Sequence, residues 1–504
     1  MKNAVGGIMN SVHLPILQVL VPLLAAPLCL LINHKKLNWI FTLLVSGFSF
    51  FVAVQLLMTV SNSGPLSYHL GGWLPPYGIE IHIDQLNAFV AMIITAISTL
   101  VLLSAYTSLE DKNDITQGVN TYFYVAYLLC FAGLLGILVT GDAFNLFVFL
   151  EISSLASYVL IALGKDKRAL WASFQYLVMG TIGATFILIG IGLLYMKTGT
   201  LNMADLAARL PEMADTRTVF VAFCFFIVGV CLKMAVFPLH MWLPNAYAFA
   251  PTVVTAFLAA SATKVALYVV VRFVFVVFGV EFSFTIVPLQ AVFVTLGALG
   301  VIVASLVAIN QKNIKRMLAY SSVAQIGYMV LGLSIGTATG LMASLLHLFN
   351  HALMKGALFL ALGAIFYRVG GVSLKHLQGI GKEMPLTMAA FVIGGLSIIG
   401  MPLTVGFVSK WYLLQAALEQ SWYMVSLIIL LGSLLSVIYI WKVVEAAYFK
   451  PALADRKPVT EAPLSLLIPI WILVLANLYF GIDTNLSVTT TEQVAQQLLQ
   501  GGKP

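Results

Sequence analysis

Charge is what this sequence has least of. Only 9% of its 504 residues are Asp, Glu, Lys or Arg and 61% are hydrophobic, against about 25% charged in ordinary soluble domains. A soluble enzyme is excluded. Cysteine is scarce as well: Cys29, Cys130, Cys224 and Cys231 all fall in apolar runs with no Cys-x-x-Cys or metal-like spacing, so they read as packing residues. No Gly-x-Gly-x-x-Gly follows a strand, and there is no Walker loop or cysteine cluster, so nucleotide, ATP and iron-sulfur chemistry find no support. No cofactor and no metal site is expected, and energy must come from a gradient or a partner.

Long apolar runs are what the chain has in quantity. A hydrocarbon core about 30 Å thick needs roughly 20 apolar residues per helix, and fourteen such runs follow one another almost end to end. The expected spans are about 14–32, 38–60, 84–105, 121–140, 143–163, 171–195, 219–249, 252–278, 285–309, 316–336, 340–366, 387–419, 422–449 and 464–483. The sequence therefore predicts an all-α integral membrane protein. The first run follows a single early cation, Lys2, and lacks a small-residue cleavage site, so it reads as a retained span.

The net charge of +7 is explained by topology, without nucleic acid. One set of loops carries Lys35, Lys36, Lys112, Lys165, Lys167, Arg168, Lys312, Lys315, Arg316, Arg368, Lys375, Lys382, Lys442, Lys450, Arg456 and Lys457. The other carries only Lys2, Lys197, Arg209, Arg217, Arg272 and Lys503. The bias places the first set in the cytoplasm and both termini outside the cell membrane.

Setting these aside leaves four of the 26 Lys and Arg inside spans: Lys233, Lys264, Lys355 and Lys410. On insertion scales each costs roughly 2.5 to 3.5 kcal/mol at a helix centre, so each should face the bundle interior, a partner or water. Glu151, in FVFLEISSLASYVL, is the matching buried acid. Glu151 and Lys233 can form a static ion pair that fixes helix register, but such pairs are often no better than packed apolar residues. The other reading is a switch: dehydration weakens a lysine's hold on its proton, and an approaching carboxylate restores it.

His347, His351 and Lys355 recur every four residues in HLFNHALMK, with Asn350 between them, and so share one helix face. Imidazoles relay protons near neutral pH, which suits a wet line through the bilayer centre. Two His at this spacing can also bind a metal, but no third ligand is evident, and a merely hydrogen-bonded stripe is the plainer alternative. His240, just beyond Pro238, is a weaker relay candidate.

Two spans are expected to be broken. Pro238 and Pro244 interrupt CLKMAVFPLHMWLPNAYAFAP beside Lys233, and Gly400, Pro402 and Gly406 interrupt IIGMPLTVGFVSKW before Lys410. Irregular backbone at membrane depth is tolerated where it is buried or lines a watery cavity, and in transporters it often marks the ion site. The two breaks lie five spans apart. A five-helix repeat follows, and an odd-numbered repeat inserts its second copy upside down. The implied units are 1–120, a first repeat at 121–278, a second at 285–449, and 450–504 with the last helix and a short tail.

Taken together, Glu151, Lys233, Lys264, PLHMWLPNAYAFAPTVVTAFLAASATK, HLFNHALMKGALF and GFVSKW resemble the proton-translocating antiporter-like subunits shared by respiratory complex I and Mrp-type cation/proton antiporters. The likeness covers roughly residues 80–450 and is greatest to the D subunit of the multisubunit Na⁺/H⁺ antiporter. It implies Glu151 and Lys233 as a coupled pair, Lys264 as a relay, His347 and His351 as parts of a hydrated axis, and Lys410 as the terminal proton site. It also implies partner membrane subunits, protons and a monovalent cation, Na⁺ above all, as what the chain works with. Lys410 stands where one complex I type has glutamate, and the short tail lacks the long lateral helix of another. The alternative function is a proton-pumping subunit of a complex I-type oxidoreductase or membrane-bound hydrogenase.

Overall fold

The computed structural model describes residues 13–500 apart from 33, 112, 113, 117, 119, 453–455 and 457. Lys2, Lys112, Lys457 and Lys503, assigned above to opposite faces, lie outside the described residues. The helices are α1 (Leu14–Leu28), α2 (Lys35–Ser63), α3 (Gln85–Leu109), α4 (Asn120–Val139), α5 (Ala143–Ala162) and α6 (Arg168–Thr198). They continue with α7 (Arg217–Met234), α8 (Leu243–Phe249), α9 (Thr252–Ala260), α10 (Ala262–Arg272), α11 (Leu289–Ile309) and α12 (Ile314–Ile335). The last are α13 (Ala338–Val369), α14 (Pro385–Ile399), α15 (Val405–Glu419), α16 (Tyr423–Val444), α17 (Leu464–Ile482) and α18 (Asn485–Leu499). A two-stranded hairpin, Leu66–His69 against Glu80–Ile83, lies between α2 and α3.

Thirteen helices among the described residues are long and apolar enough to cross a membrane. The twelfth expected span, 387–419, is two short helices, α14 and α15, joined by an irregular Gly400–Thr404 segment. The seventh is broken as expected: α7 stops at Ala235, in the left-handed region at φ 61°, and eight irregular residues precede α8. The eighth is broken as well, between α9 and α10 at Ser261 (φ −124°, ψ −62°). No proline or glycine marks that break in LAASATK, so the apolar run reads straight through it.

Polarity sorts the helices. The most apolar stretches of 252–277 and 314–335 are 94% buried, whereas those of 168–198, 289–309 and 423–449 are 39% buried. The centre of the bundle is therefore α9, α10 and α12, with α13 packed against all three. These helices carry four of the six buried Lys and Arg among the described residues: Lys264, Arg272, Lys315 and Lys355. The rim presents Leu, Ile, Val and Phe outward, as lipid contact requires.

Local devices recur in two places. Asp142 caps α5 and Asn313 caps α12, and each pairs with the loop after the following helix, at Asn202 and Ser373. The Ala143 N–H donates to the Leu201 carbonyl at 2.8 Å, and the Ile314 N–H to that of Val372 at 2.9 Å. After the broken helices, the Val236 N–H donates to the Cys231 carbonyl at 3.0 Å and the Met401 N–H to that of Leu396 at 3.1 Å. One π-helical turn follows α10 (Phe273–Val277) and another follows α16 (Glu445–Phe449). Asp142 and Asn202 sit with the hairpin residue Glu80, whereas Asn313 and Ser373 share a cavity with Asp114 and Lys165 at the other end of the bundle.

Candidate proton pathway

Lys233 occupies the last turn of α7, where the unpaired carbonyl end of a helix favours a cation. Its side chain is 6% exposed. The Nζ donates to Ser154 Oγ at 2.8 Å and stands 3.6 Å from Glu151 Oε1, an oxygen with no hydrogen-bond partner. The ammonium is thus held by a hydroxyl one turn along α5, with the carboxylate just outside bonding distance. Glu151 is less buried than its sequence context predicts: 26% of its side chain is exposed. It falls on the α5 stripe of Phe144, Val148, Leu155 and Val159, each over a third exposed, which faces away from the bundle.

A cavity of about 40 Å³ opens beside Lys233, between α5 and α10. Lys233, Ser153, Ser154 and Ser157 line one side, and Ala262, Val265, Ala266 and Val269 of α10 line the other. That space admits water and has the hydroxyls to hold it. Lys264 is fully buried on α10, and its Nζ donates to the Ala259 carbonyl and, at 3.4 Å, to Thr263 Oγ1. The Ser261 break is what supplies that carbonyl, since the helix no longer uses it.

The α13 stripe is buried as the spacing predicts. His347 Nδ1 lies 2.8 Å from Ser409 Oγ and its Nε2 lies 3.0 Å from Gln325 Oε1. Since the Gln325 oxygen can only accept, Nε2 carries the proton and Nδ1 accepts from Ser409. His351 stacks parallel to His347 with centroids 6.1 Å apart, and neither of its ring nitrogens has a hydrogen-bond partner. Lys355 donates to the Leu318 carbonyl at 2.8 Å and to Ser321 Oγ at 3.0 Å.

Lys410 ends the line. Its Nζ donates to the carbonyls of Ile398 and Ile399 at 2.8 and 3.1 Å and to Ser433 Oγ at 3.0 Å, with the Tyr328 ring 4.9 Å away. Again a broken helix, here the C-terminus of α14, supplies the acceptors. The structure thus gathers Lys264, His347, His351, Lys355 and Lys410 along α13 and sets Glu151 and Lys233 apart from them, between α5 and α7. His240 stands apart, stacked on Phe237 and edge-on to Tyr320. No group of three His, Cys, Asp or Glu gathers as metal ligands among the described residues.

Sequence reasoning missed the hydroxyls and amide that hold these groups: Ser154, Gln325, Ser409, Ser321 and Ser433. Two cations assigned to loops are corrected. Arg272 is buried at the C-terminal end of α10, 2.6 Å from Asp84, and Lys315 is buried at the start of α12, 3.5 Å from Asp114. Each sits within a turn of a helix end, where loop and span cannot be told apart by hydropathy. Outside the spans, burial works against the Asp84 charge, but the Arg272 guanidinium outweighs it and holds the carboxyl below its ordinary value. Burial also lowers the nearby His82, with Asp84 and Glu80 opposing. Lys165, Arg168 and Lys315 border one cavity, while Arg209 binds Asp205 and the Thr198 carbonyl at the opposite end of α6.

Residues 140–436 match the family described as NADH:quinone oxidoreductase/Mrp antiporter, transmembrane. The chain is 41% identical to the N subunit of NADH-quinone oxidoreductase from Desulforudis audaxviator, across 96% of this chain and 99% of that protein. It is 31% identical to the D subunit of the Na(+)/H(+) antiporter from Bacillus subtilis, across 97% of each. Among solved structures it is similar to a chain of the Mrp complex from Dietzia sp. DQ12-45-1b, with a TM-score of 0.88, 26% identity and 98% of each chain covered.

Proposed function

The chain belongs to the NADH:quinone oxidoreductase/Mrp antiporter transmembrane family, and from that membership we propose that it is the proton-translocating subunit of a multisubunit monovalent cation/proton antiporter, with Na⁺ as the exchanged cation. In this reading it is a secondary transporter subunit and not itself an enzyme. The observation that carries the proposal is the loose Glu151–Lys233 contact at 3.6 Å, in the same bundle as a buried line of titratable groups from Lys264 to Lys410. Ser154 and Glu151 compete for one ammonium. When the carboxylate moves closer, Lys233 keeps its proton; when it moves away, the proton is released toward Lys264, His351, His347 and finally Lys410, with Lys355 feeding the same axis.

The chain works in a hetero-oligomer within the bacterial plasma membrane. A partly exposed carboxylate on an outward apolar stripe is costly against lipid, so the Glu151 face of α5 is the surface that a partner membrane subunit covers. The cation-rich face is cytoplasmic and both termini are outside. The units 121–278 and 285–449 are inverted five-helix repeats, a reading supported by the couples Asp142/Asn202 and Asn313/Ser373 at opposite ends. Each half supplies one half-channel.

A second reading, a proton-pumping subunit of a complex I-type oxidoreductase or membrane-bound hydrogenase, is favoured by the 41% likeness to a protein named for NADH-quinone oxidoreductase. Purifying the intact complex and identifying its chains separates the two. Small membrane subunits with Na⁺-driven proton exchange in vesicles support the antiporter; copurifying iron-sulfur and flavin subunits, without such exchange, overturn it in favour of the redox complex.

A further inference from the structure

A cavity of about 510 Å³ opens on the cation-rich face, between the loops around Asp114, Lys165, Asn313 and Ser373. Its charged and titratable lining is Asp114, Lys165, Asp166, Arg168, Lys315 and His376. Two carboxylates face it and they are held differently. Asp166 is saturated by Arg168, whose guanidinium bonds it at 2.6 Å and also lies over the Phe249 ring. Asp114 is buried at the floor, 9% exposed. Its Oδ2 accepts the Thr252 N–H at 2.6 Å, while among the described residues Oδ1 has the ammonium of Lys315 at 3.5 Å, beyond a good hydrogen bond.

Lys315 does not depend on that carboxylate. Its Nζ also donates to the Ala250 carbonyl at 3.2 Å and stands 5.2 Å from the Phe366 ring. Asp114 can therefore take a proton on Oδ1 without leaving a buried cation unsatisfied. Beyond it lies α9, whose polar side chains share a face. Thr252 Oγ1 is buried without a partner, and Thr255 Oγ1 donates to the Tyr247 carbonyl at 3.0 Å. Past them come the Ala259 carbonyl and Thr263 hydroxyl that hold Lys264. At 1.5 Å per residue the nine residues of α9 span about 13 Å.

We infer that Asp114 is the port through which protons from the cation-rich face reach the buried axis, loading from this cavity and passing along the hydroxyl face of α9 to Lys264. A proton from cavity water adds to Oδ1. Through a bridging water it then moves to Thr252 Oγ1 as that hydroxyl releases its own proton inward through Thr255 and further water, and Asp114 returns to carboxylate. Lys264, arriving neutral, takes the proton at Nζ. Lys315 positions the carboxylate and draws it back to its charged state after each transfer. The inference rests on the reading of the chain as a proton-translocating subunit.

The test uses membrane vesicles holding the assembled complex, with cation/proton exchange normalised to complex content. Asp114→Asn keeps an oxygen for the Thr252 N–H but cannot carry a proton, and exchange is expected to fall at least ~10-fold. Asp114→Glu should recover a large part of the rate, and Asp166→Asn should stay within about 2-fold of wild type. Wild-type exchange by Asp114→Asn, with Glu151→Ala inactive in the same preparation, overturns the port alone; an active Glu151→Ala overturns the underlying reading. If Asp114→Asn does not assemble, Thr252→Val decides, because it keeps the N–H and the shape but removes the hydroxyl. A several-fold loss supports the path, and unchanged exchange refutes it.

Discussion

The pair at Glu151 and Lys233 works only if each group sets the other's state. Without the carboxylate, Lys233 retains Ser154 but loses the acceptor whose distance varies. Without the lysine, Glu151 has no cation to answer. Glu151→Ala and Lys233→Ala are each expected to lower vesicle exchange at least ~10-fold with the complex still in the membrane. The double variant should be no worse than either single one, as groups of one network are not additive; losses that multiply would show two independent sites. Lys233→Arg should fail too, because a guanidinium does not give up its proton. For His347, bonded to Gln325 and Ser409, His347→Ala should slow exchange several-fold more than it reduces assembled protein. Loss of both in proportion would assign the ring to packing. The titratable groups were legible in sequence because charge in an apolar run is conspicuous. Ser154 and Ser409 were not, since a serine in a membrane helix looks the same whether it serves a lysine or its own backbone.

Broken helices are the elements that house these lysines. At α14 and α15 the sequence announced the break through Gly400 and Pro402, and the freed carbonyls of Ile398 and Ile399 hold Lys410. At Ser261 nothing announced it. The break there is marked by local side-chain bonds to backbone, with Ser261 Oγ turned back to the Phe257 carbonyl and Lys264 drawn to that of Ala259. A hydropathy profile sees only an unbroken apolar run. Gly406 tests the seat of α15. A Cβ there would collide with the Ser397 carbonyl oxygen, a backbone atom near the end of α14 that cannot swing aside. Gly406→Ala is therefore expected to push the two half-helices apart at an overpacking cost of about 1–3 kcal/mol. Thermal unfolding of the purified complex should show a Tm several degrees lower, with exchange reduced through Lys410. An unchanged Tm would mean that the junction adapts freely.

At the scale of the whole molecule, the fold and its sidedness follow from two sums over the sequence, one of apolar length and one of cation placement. Both are carried by many residues, so the misassignment of Arg272 and Lys315 to loops changed neither. The structure separates the faces physically: Lys165 borders the cavity that holds Asp114 and Lys315, and Arg209 sits beyond the far end of α6, bonded to Asp205 and Thr198. Positive charge is retained on the cytoplasmic side during insertion, so the Lys165 end should face inward and the Arg209 end outward. Single cysteines at 165 and 209, in a chain whose own cysteines are replaced, test this with a membrane-impermeant maleimide. In intact cells the cysteine at 209 should react and that at 165 should not; in inside-out vesicles the pattern should reverse. Arg209 is half exposed and its pair with Asp205 is a surface contact of adjacent helix turns, worth about 0.3–0.5 kcal/mol, so its replacement leaves the fold intact. Labelling of 209 only from the cytoplasmic side would invert the molecule and, with it, move the Asp114 cavity to the outer face.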